Sequence, residues 1–421
     1  TAAPTAPERR ALGELLARIS PAATAITAAL TGPERNEPHA QALVPWRHSR
    51  QHELLQIHCL LHQRLAHDPT WRLPLACDVS LIGQSQQLIH QLVPLAHGFG
   101  GDWPARSAQL DHALTDTDPT VRIAAVTAIA PLWDDPLTAP SVETWLQRAL
   151  GDRSAGVVGT ALDVIAARFS RPDHKPLAPD APLARHLLAR LGAAPDAGPA
   201  PPPLDPELHS QLLATLAATR LPGALPLCHA AREHPSPPVR KAARACVQQL
   251  TGADPGPATT PTVLPRPPVD PRGVLGKPIR WQLATTHGPI DVILDPAAAP
   301  WAVATIVALT RAGKYDGLIF HRDVRGFVLQ GGDPEGTGWG GPGFVLPSEP
   351  GPHRFDRGAV GIADAGKDTG GSQFFFMHAP APHLEGRYTW VGHVVPEHLE
   401  RLDQLSLGDR IIAARFILPP L

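Results

Sequence analysis

Four sets of residues in this chain have types and spacings that could do chemistry. The first centres on Arg322, with Phe327 and Gln330 following on the same segment and Gln373 and Phe375 in a second block. A guanidinium is permanently charged and offers several N–H donors. Set beside aromatic surface and neutral amides, it suits the stabilisation of a lone pair that develops during a reaction. The second set is His58 and His62, one helical turn apart. A metal site there would need a third ligand, none can be chosen, and packed or exposed histidines are the better reading. The third set is two cysteine pairs of equal spacing, Cys59 with Cys77 and Cys228 with Cys246, neither a CxxC metal or redox pattern. Their spacing suits neighbouring positions on antiparallel helices, so each pair is either a disulfide or two small apolar residues in helix interiors. The fourth is Gly336, Gly338 and Gly341, which satisfy GxGxxG. That pattern implies dinucleotide binding only between a strand and a helix. Here Pro342 and Pro347 follow, no helix opens, and a surface loop is expected.

These residues must be positioned by elements that the sequence also describes. The chain has 421 residues, too many for one compact domain, and 37 basic against 39 acidic side chains, so no strong field attracts nucleic acid or anionic membrane. No apolar run approaches the roughly 20 residues that span a bilayer as a helix. Proline is the outlier, with 50 residues, beside 43% hydrophobic content that argues for substantial cores. Up to about residue 253 the chain reads as helices of ordinary length separated by Pro- and Gly-containing turns. An internal repeat runs through it. Pro119, Val121, Arg122, Ala125, Ala128, Ile129 and Leu132 recur as Pro237, Val239, Arg240, Ala243, Cys246, Val247 and Leu250. A weaker copy places Leu150, Asp152, Val157, Ala161 and Ile165 where the first has Leu114, Asp116, Val121, Ala125 and Ile129. The unit resembles the HEAT family of helical repeats. Proline in a first turn costs no intrahelical hydrogen bond, and a single hairpin cannot bury its apolar face alone, so stacking is required. Two Pro-rich stretches, 195–207 and 254–273, read as a loop between repeats and an extended spacer.

After Gly276 the pattern changes to alternation around a His-Gly-Pro turn in IRWQLATTHGPIDVILDP, a hairpin signal, followed by a short amphipathic helix over 302–312. The blocks FHR…GF…QGGDP and GSQFFF…HLEGRYTWVGHV then stand in order and at the spacing of the cyclophilin family of peptidyl-prolyl isomerases. The resemblance covers about a third of the chain. It implies a closed eight-stranded antiparallel barrel with a helix at each end and a prolyl pocket on the outside. It also implies that Arg322, Phe327 and Gln330 are catalytic and that Val328, Ala363, Asp364, Ala365, Gln373, Phe375, His383, Leu384 and Tyr388 bind substrate. The residue types fit that task. Rotation about an X-Pro amide is slow because of resonance, with a barrier of about 18–20 kcal/mol. The proline nitrogen gains a lone pair only as the amide twists, so a donor aimed at it favours the transition state. Arg322 is that donor, Phe327, Val328, Phe375 and Leu384 a ring socket, and Gln330 the group that orients the arginine. Small residues at Ala363 and Ala365 leave room for an extended peptide, and Phe374 and Phe376 alternate away from the pocket into the core.

The sequence departs from the family's pattern at four places: Val328 stands for methionine, His383 for tryptophan, Tyr388 for histidine and Asp364 for asparagine. Loss of the indole implies poor cyclosporin binding, and Asp364 adds charge to the groove. The whole chain is therefore expected to be an all-α HEAT-like solenoid followed by the barrel. Its parts are a flexible segment 1–10, repeats over 11–253, a Pro-rich linker 254–276 and an isomerase domain 277–418. No cofactor or metal is implied. The expected partners are proline-containing peptides or protein clients, with a further protein partner on the repeats. The cysteine pairs and the Thr1 start favour an exported, periplasmic or envelope protein over a cytoplasmic one. The alternative function is a scaffold that binds proline peptides without turning them over.

Overall fold

The structure, a computed structural model, describes residues 102–190, 204–257, 263, 265–276 and 278–417. His58, His62, the pair Cys59 and Cys77, and most of the first Pro-rich stretch lie outside the described residues. The chain divides into two compact units, Thr1–Ala113 and Leu114–Leu421. Of the first, helix α1 (Trp103–Ala113) is described, with Leu110 and Ala113 buried.

The second unit opens with helices α2 (Pro119–Ile129), α3 (Ala139–Leu150), α4 (Ala155–Phe169), α5 (Pro182–Ala189), α6 (Pro206–Thr219), α7 (Leu225–Ala231) and α8 (Pro237–Thr251). Helices α2, α4, α6 and α8 pack in a row in chain order, α3 lies against α4 and α5, and α7 against α8. The helix starts follow from local chemistry. Proline occupies the first turn of α2 and α6, and the carboxylates of Asp118 and Asp205 accept first-turn N–H groups. The repeating apolar positions share one environment: Val121, Ala125 and Ile129, then Val157, Ala161 and Ile165, then Val239, Ala243 and Val247 are all buried. The repeating arginines do one job. Arg122 Nη1 donates to the carbonyls of Asp116 and Thr117, and Arg240 Nη1 to those of His234 and Pro235, so each locks the turn before its own helix. Arg122 also reaches the Asp152 carboxylate through two 2.8 Å bonds, tying α2 to the turn that starts α4. Cys228 on α7 and Cys246 on α8 are joined by a disulfide.

The second half of the Pro-rich stretch after α8 is docked rather than free. Pro271–Val274 forms a 3₁₀ turn against α9 (Pro300–Arg311), and Val274 packs on the sheet's core. The sheet has eight strands: β1 (Ile279–Thr285), β2 (Gly288–Leu294), β3 (Arg322–Val324), β4 (Val328–Gly331), β5 (Ala359–Ile362), β6 (Phe374–Met377), β7 (Trp390–Val394) and β8 (Ile411–Ile417). Their order is β3-β4-β6-β5-β7-β2-β1-β8, and every pairing is antiparallel. The expected hairpin is β1–β2, turning at Thr286–His287 with Gly288 at φ 99°.

Strand number and direction match the expectation, but closure does not: the sheet is a curled, open half-barrel whose edges are β3 and β8. The reason is ladder length. Strand β3 has only three residues, and the chain just before it meets the start of β8 through a lone bridge, Ile319 to Arg410, and a few backbone bonds such as Phe320 N to Asp409 O. That contact pins the two ends without forming a strand pair.

The two-residue period of the strands separates two clusters. Leu329, Val360, Ile362, Phe374, Phe376 and Val391 face the main core, with Trp281 edge-on to Phe374 at 5.2 Å. Val303 and Ile306 of α9 and Leu402 of the short helix α10 (Leu399–Leu402) close it. Val328, Ala359, Phe375 and Met377 project the other way and gather Phe355, Ala381 and Leu384 into a smaller cluster.

Candidate active site

That smaller cluster is where the chemistry-bearing residues meet. Register puts Arg322 of β3 opposite Gln330 of β4, and Gln330 opposite Phe375 of β6. Arg322 is exposed, while Gln330 is half-buried. Arg322 Nη1 donates to Gln330 Oε1 at 3.4 Å, and Gln330 Nε2 donates to Gln373 Oε1 at 2.8 Å. Gln373 Nε2 in turn donates to the carbonyls of Gly338 and Gly340 at 2.9 and 2.8 Å. The three side chains form one directed chain ending at the guanidinium.

The socket beside it is aromatic. Phe375 is buried, stacked on Phe355 at 5.8 Å and met edge-on by Tyr388 at 5.9 Å. Phe327 is half-buried and stacks on His383, with centroids 5.6 Å apart. Val328 and Leu384 are buried in the same cluster, and Phe327, Ala363 and Tyr388 pack against it. Gly361 permits the arrangement, because a Cβ there would lie 2.4 Å from Phe375 Cζ and 2.8 Å from Phe355 Cε1.

The segment Ala363-Asp364-Ala365 continues from β5, and Ala363 packs against the same cluster. Its own N–H groups are partly committed, Ala363 N to Gln373 O and Ala365 N to Thr369 Oγ1. Burial pushes the Asp364 carboxyl up to about 6, with nearby Asp368 adding to the rise against a hydrogen bond from Gly366 N–H. Burial first, then the charge of Asp364, raises the Tyr388 phenol, while Arg322 acts to lower it, so these three groups share one field. Burial also drives Glu207, in the first turn of α6, up to about 7, with the charges of Asp205 and Asp364 contributing.

Of the residues expected at the site, Phe327, Val328, Ala363, Phe375, Leu384 and Tyr388 share the smaller cluster, and His383 joins it through Phe327. Arg322, Gln330 and Gln373 are linked by hydrogen bonds, while Phe374 and Phe376 lie in the main core as alternation required. The GxGxxG stretch is a loop organised from within. The buried Asp333 carboxylate accepts from the N–H groups of Glu335, Thr337 and Gly338, leaving those donors committed to protein rather than phosphate. Sequence reasoning missed Phe355, Met377, the Asp333 loop and Glu207. Asp333 had a signal, an acidic residue ahead of glycines that take φ of 67° and 89° at Gly336 and Gly338; the others had none. Behind β3 lies a further buried group: Arg325 Nε is 2.8 Å from Asp323 Oδ2, and the His378 ring lies 3.5 Å from Asp323 and 3.6 Å from Asp403. Among the described residues no group of His, Cys, Asp and Glu could hold a metal, and no helix is long and apolar enough to cross a membrane.

Residues 280–414 match the family described as cyclophilin type peptidyl-prolyl cis-trans isomerase. Peptidyl-prolyl cis-trans isomerase B of Bacillus subtilis is 51% identical over 122 residues, 28% of this chain and 85% of the relative. The chain belongs to the cyclophilin family. A second cyclophilin relative, the peptidyl-prolyl cis-trans isomerase of Synechococcus elongatus, is 43% identical over 136 residues, 32% of this chain and 94% of its own. The crystal structure of a Cryptosporidium parvum cyclophilin type isomerase aligns with 34% of this chain and 99% of its own at 29% identity and a TM-score of 0.33. The matches lie in the C-terminal third, where the cyclophilin sheet and its pocket are.

Proposed function

We propose that this chain catalyses cis–trans isomerisation of X-Pro bonds at the Arg322 pocket and recruits protein clients through its helical part. The observation that carries the catalytic reading is the directed chain Gln373–Gln330–Arg322 beside the Phe327/Phe375 socket. The pyrrolidine ring of a bound proline enters the socket, where apolar burial holds it while the rest of the peptide turns. As the amide twists out of resonance, its nitrogen pyramidalises and gains a lone pair. The Arg322 guanidinium donates to that lone pair, a hydrogen bond that is stronger in the twisted state than in either planar one. Gln330 Oε1 holds the guanidinium from behind. Ala363, Asp364 and Ala365 line the path of the extended peptide, and His383 and Tyr388 widen or narrow the socket relative to the family's usual residues. No covalent intermediate and no cofactor enters the scheme. An acceleration of 10⁵ would require roughly 7 kcal/mol, shared between the charged hydrogen bond, ring packing and loss of water.

The organisation that goes with this reading is a helical region over 11–253, a Pro-rich linker at 254–276 and an isomerase domain over 277–418. The turn locks by Arg122 and Arg240 and the row α2–α4–α6–α8 support a HEAT-like stack. The disulfide between Cys228 and Cys246 supports an exported protein.

Exchange spectroscopy on a short Ala-Ala-Pro-containing peptide tests the enzyme reading. Catalytic amounts of the full chain are expected to broaden and merge the cis and trans resonances. Saturable peptide binding with no gain in exchange rate would make the protein a scaffold instead.

A further inference from the structure

Helix α4 and the active site share one loop. Residues 333–341 are shaped from within by Asp333, and one side of the loop offers the carbonyls of Gly338 and Gly340 to Gln373. Three side chains of the same loop, Glu335, Thr337 and Trp339, meet the start of α4. Ser154 is the N-cap of that helix, yet its side chain makes no capping bond. Its hydroxyl donates instead to Glu335 Oε2 at 2.5 Å. A carboxylate there also faces the positive end of the helix dipole. Two glycines follow on the face turned to the loop. A Cβ at Gly156 would lie 2.9 Å from Thr337 Cβ, and one at Gly159 would lie 2.8 Å from Trp339 Cζ2. Glycine inside a helix costs about 1 kcal/mol relative to alanine, so its use at Gly159 has a packing reason, the Trp339 indole.

The consequence for the site lies in the direction of the amides. A glutamine side chain presents an acceptor on one side and two donors on the other. Both N–H groups of Gln373 are taken by Gly338 O and Gly340 O, so its oxygen must face Gln330. Gln330 therefore turns its N–H₂ toward Gln373 and its oxygen toward Arg322. If the two loop carbonyls move away, Gln373 is free to turn over. Gln330 can then follow and present N–H₂ to a guanidinium that has no acceptor capacity.

We infer that the helical stack is a working part of the isomerase site: by clamping the 333–341 loop, α4 fixes the amide direction of Gln373 and Gln330 and so the aim of Arg322. Ser154, Gly159, Glu335 and Trp339 are positioning residues in this scheme, none of which touches substrate. The inference rests on the assignment of Arg322 as the donor in the proposed reaction.

The test uses the full chain. Gly159→Leu drives a side chain into the indole, and Ser154→Ala removes the hydrogen bond without adding bulk. Each is expected to lower kcat for peptide exchange by about tenfold, a partial misplacement of the catalytic group, with KM changed by less than about twofold. In NMR spectra of both variants, the Gln373 side-chain amide protons are expected to shift and exchange faster with solvent. Glu335→Gln keeps an acceptor for Ser154 and is expected to retain wild-type kcat. Should Gly159→Leu fail to fold, Ser154→Ala and Trp339→Ala carry the test. Faster hydrogen exchange of the 335–341 backbone, with kcat and the Gln373 amide at wild-type values, would show that docking is merely structural and overturn the inference. Arg322→Ala in the same assay separates the two claims: if it alone loses activity the relay is wrong, and if it keeps activity the site assignment is wrong.

Discussion

Replacing Asp364 with asparagine keeps the shape of the 363–365 segment and removes a charge that the fold disfavours. Burial and Asp368 raise the Asp364 carboxyl from 3.8 to about 6. A shift of that size is worth about 3 kcal/mol at full weight, and about 2 kcal/mol once solvent screening of a half-buried group is allowed for. The sign follows from linkage. Between the unfolded and folded pKa values the native state holds the proton more tightly, so stability falls as pH rises through that window and is lowest above it. Wild type should therefore lose stability between about pH 4 and 6, relative to Asp364→Asn, and the two should coincide below pH 4. At pH 7 the variant is expected to melt about 5 °C higher by calorimetry. The assay is a series of melts of both proteins from pH 3.5 to 8, read as a difference so that titrating groups not coupled to Asp364 cancel. Glu207→Gln should produce a companion curve displaced upward, since that carboxyl is raised to about 7 and Asp364 is one of the causes. Parallel curves for wild type and Asp364→Asn across the window would refute the reasoning.

Other consequences follow from single contacts. Burial opposes protonation of His378, but the carboxylates of Asp323 and Asp403 outweigh it and raise its pKa; its contribution is thus present below about pH 6.5 and lost as pH rises through the folded value. His378→Gln should accordingly cost more stability at pH 5.5 than at pH 8.5 in urea titrations, and equal costs would count against the pairing. Gly361→Ala places a methyl against Phe375 and Phe355, and denaturation should show a loss of about 1–3 kcal/mol accompanied by weaker peptide binding. Arg122→Ala leaves the Asp152 carboxylate and two turn carbonyls without their donor. A cost of about 3–5 kcal/mol is expected in melts that follow the helical signal.

The pocket was legible because its residues sit in two short blocks whose types are dictated by chemistry, a fixed cation, an amide and aromatic rings at alternating strand positions. Phe375 could be separated from Phe374 and Phe376 by the strand period alone. The buried stripe Val121, Ala125, Ile129 was legible for the same kind of reason, a helical period combined with repetition. Closure of the sheet was not, since it turns on whether three residues of β3 find a long enough partner in β8, a property of the folded edges rather than of either segment. The docking of Ser154 on Glu335 was also invisible. It joins residues far apart in sequence, and each alone looks like an ordinary cap or a loop acid. The high pKa of Asp364 was hidden likewise, because the carboxylate stands out as a substitution while the burial around it does not.

The central claim, that Arg322 supplies the hydrogen bond that stabilises the twisted amide, is tested most directly by measuring exchange rate and affinity on the same peptide for wild type and Arg322→Ala. Loss of a donor used only in the transition state should lower kcat/KM by about 10²–10³-fold, with the peptide Kd changed by less than about threefold. An Arg322→Ala protein that exchanges the peptide within about twofold of wild type would contradict the account.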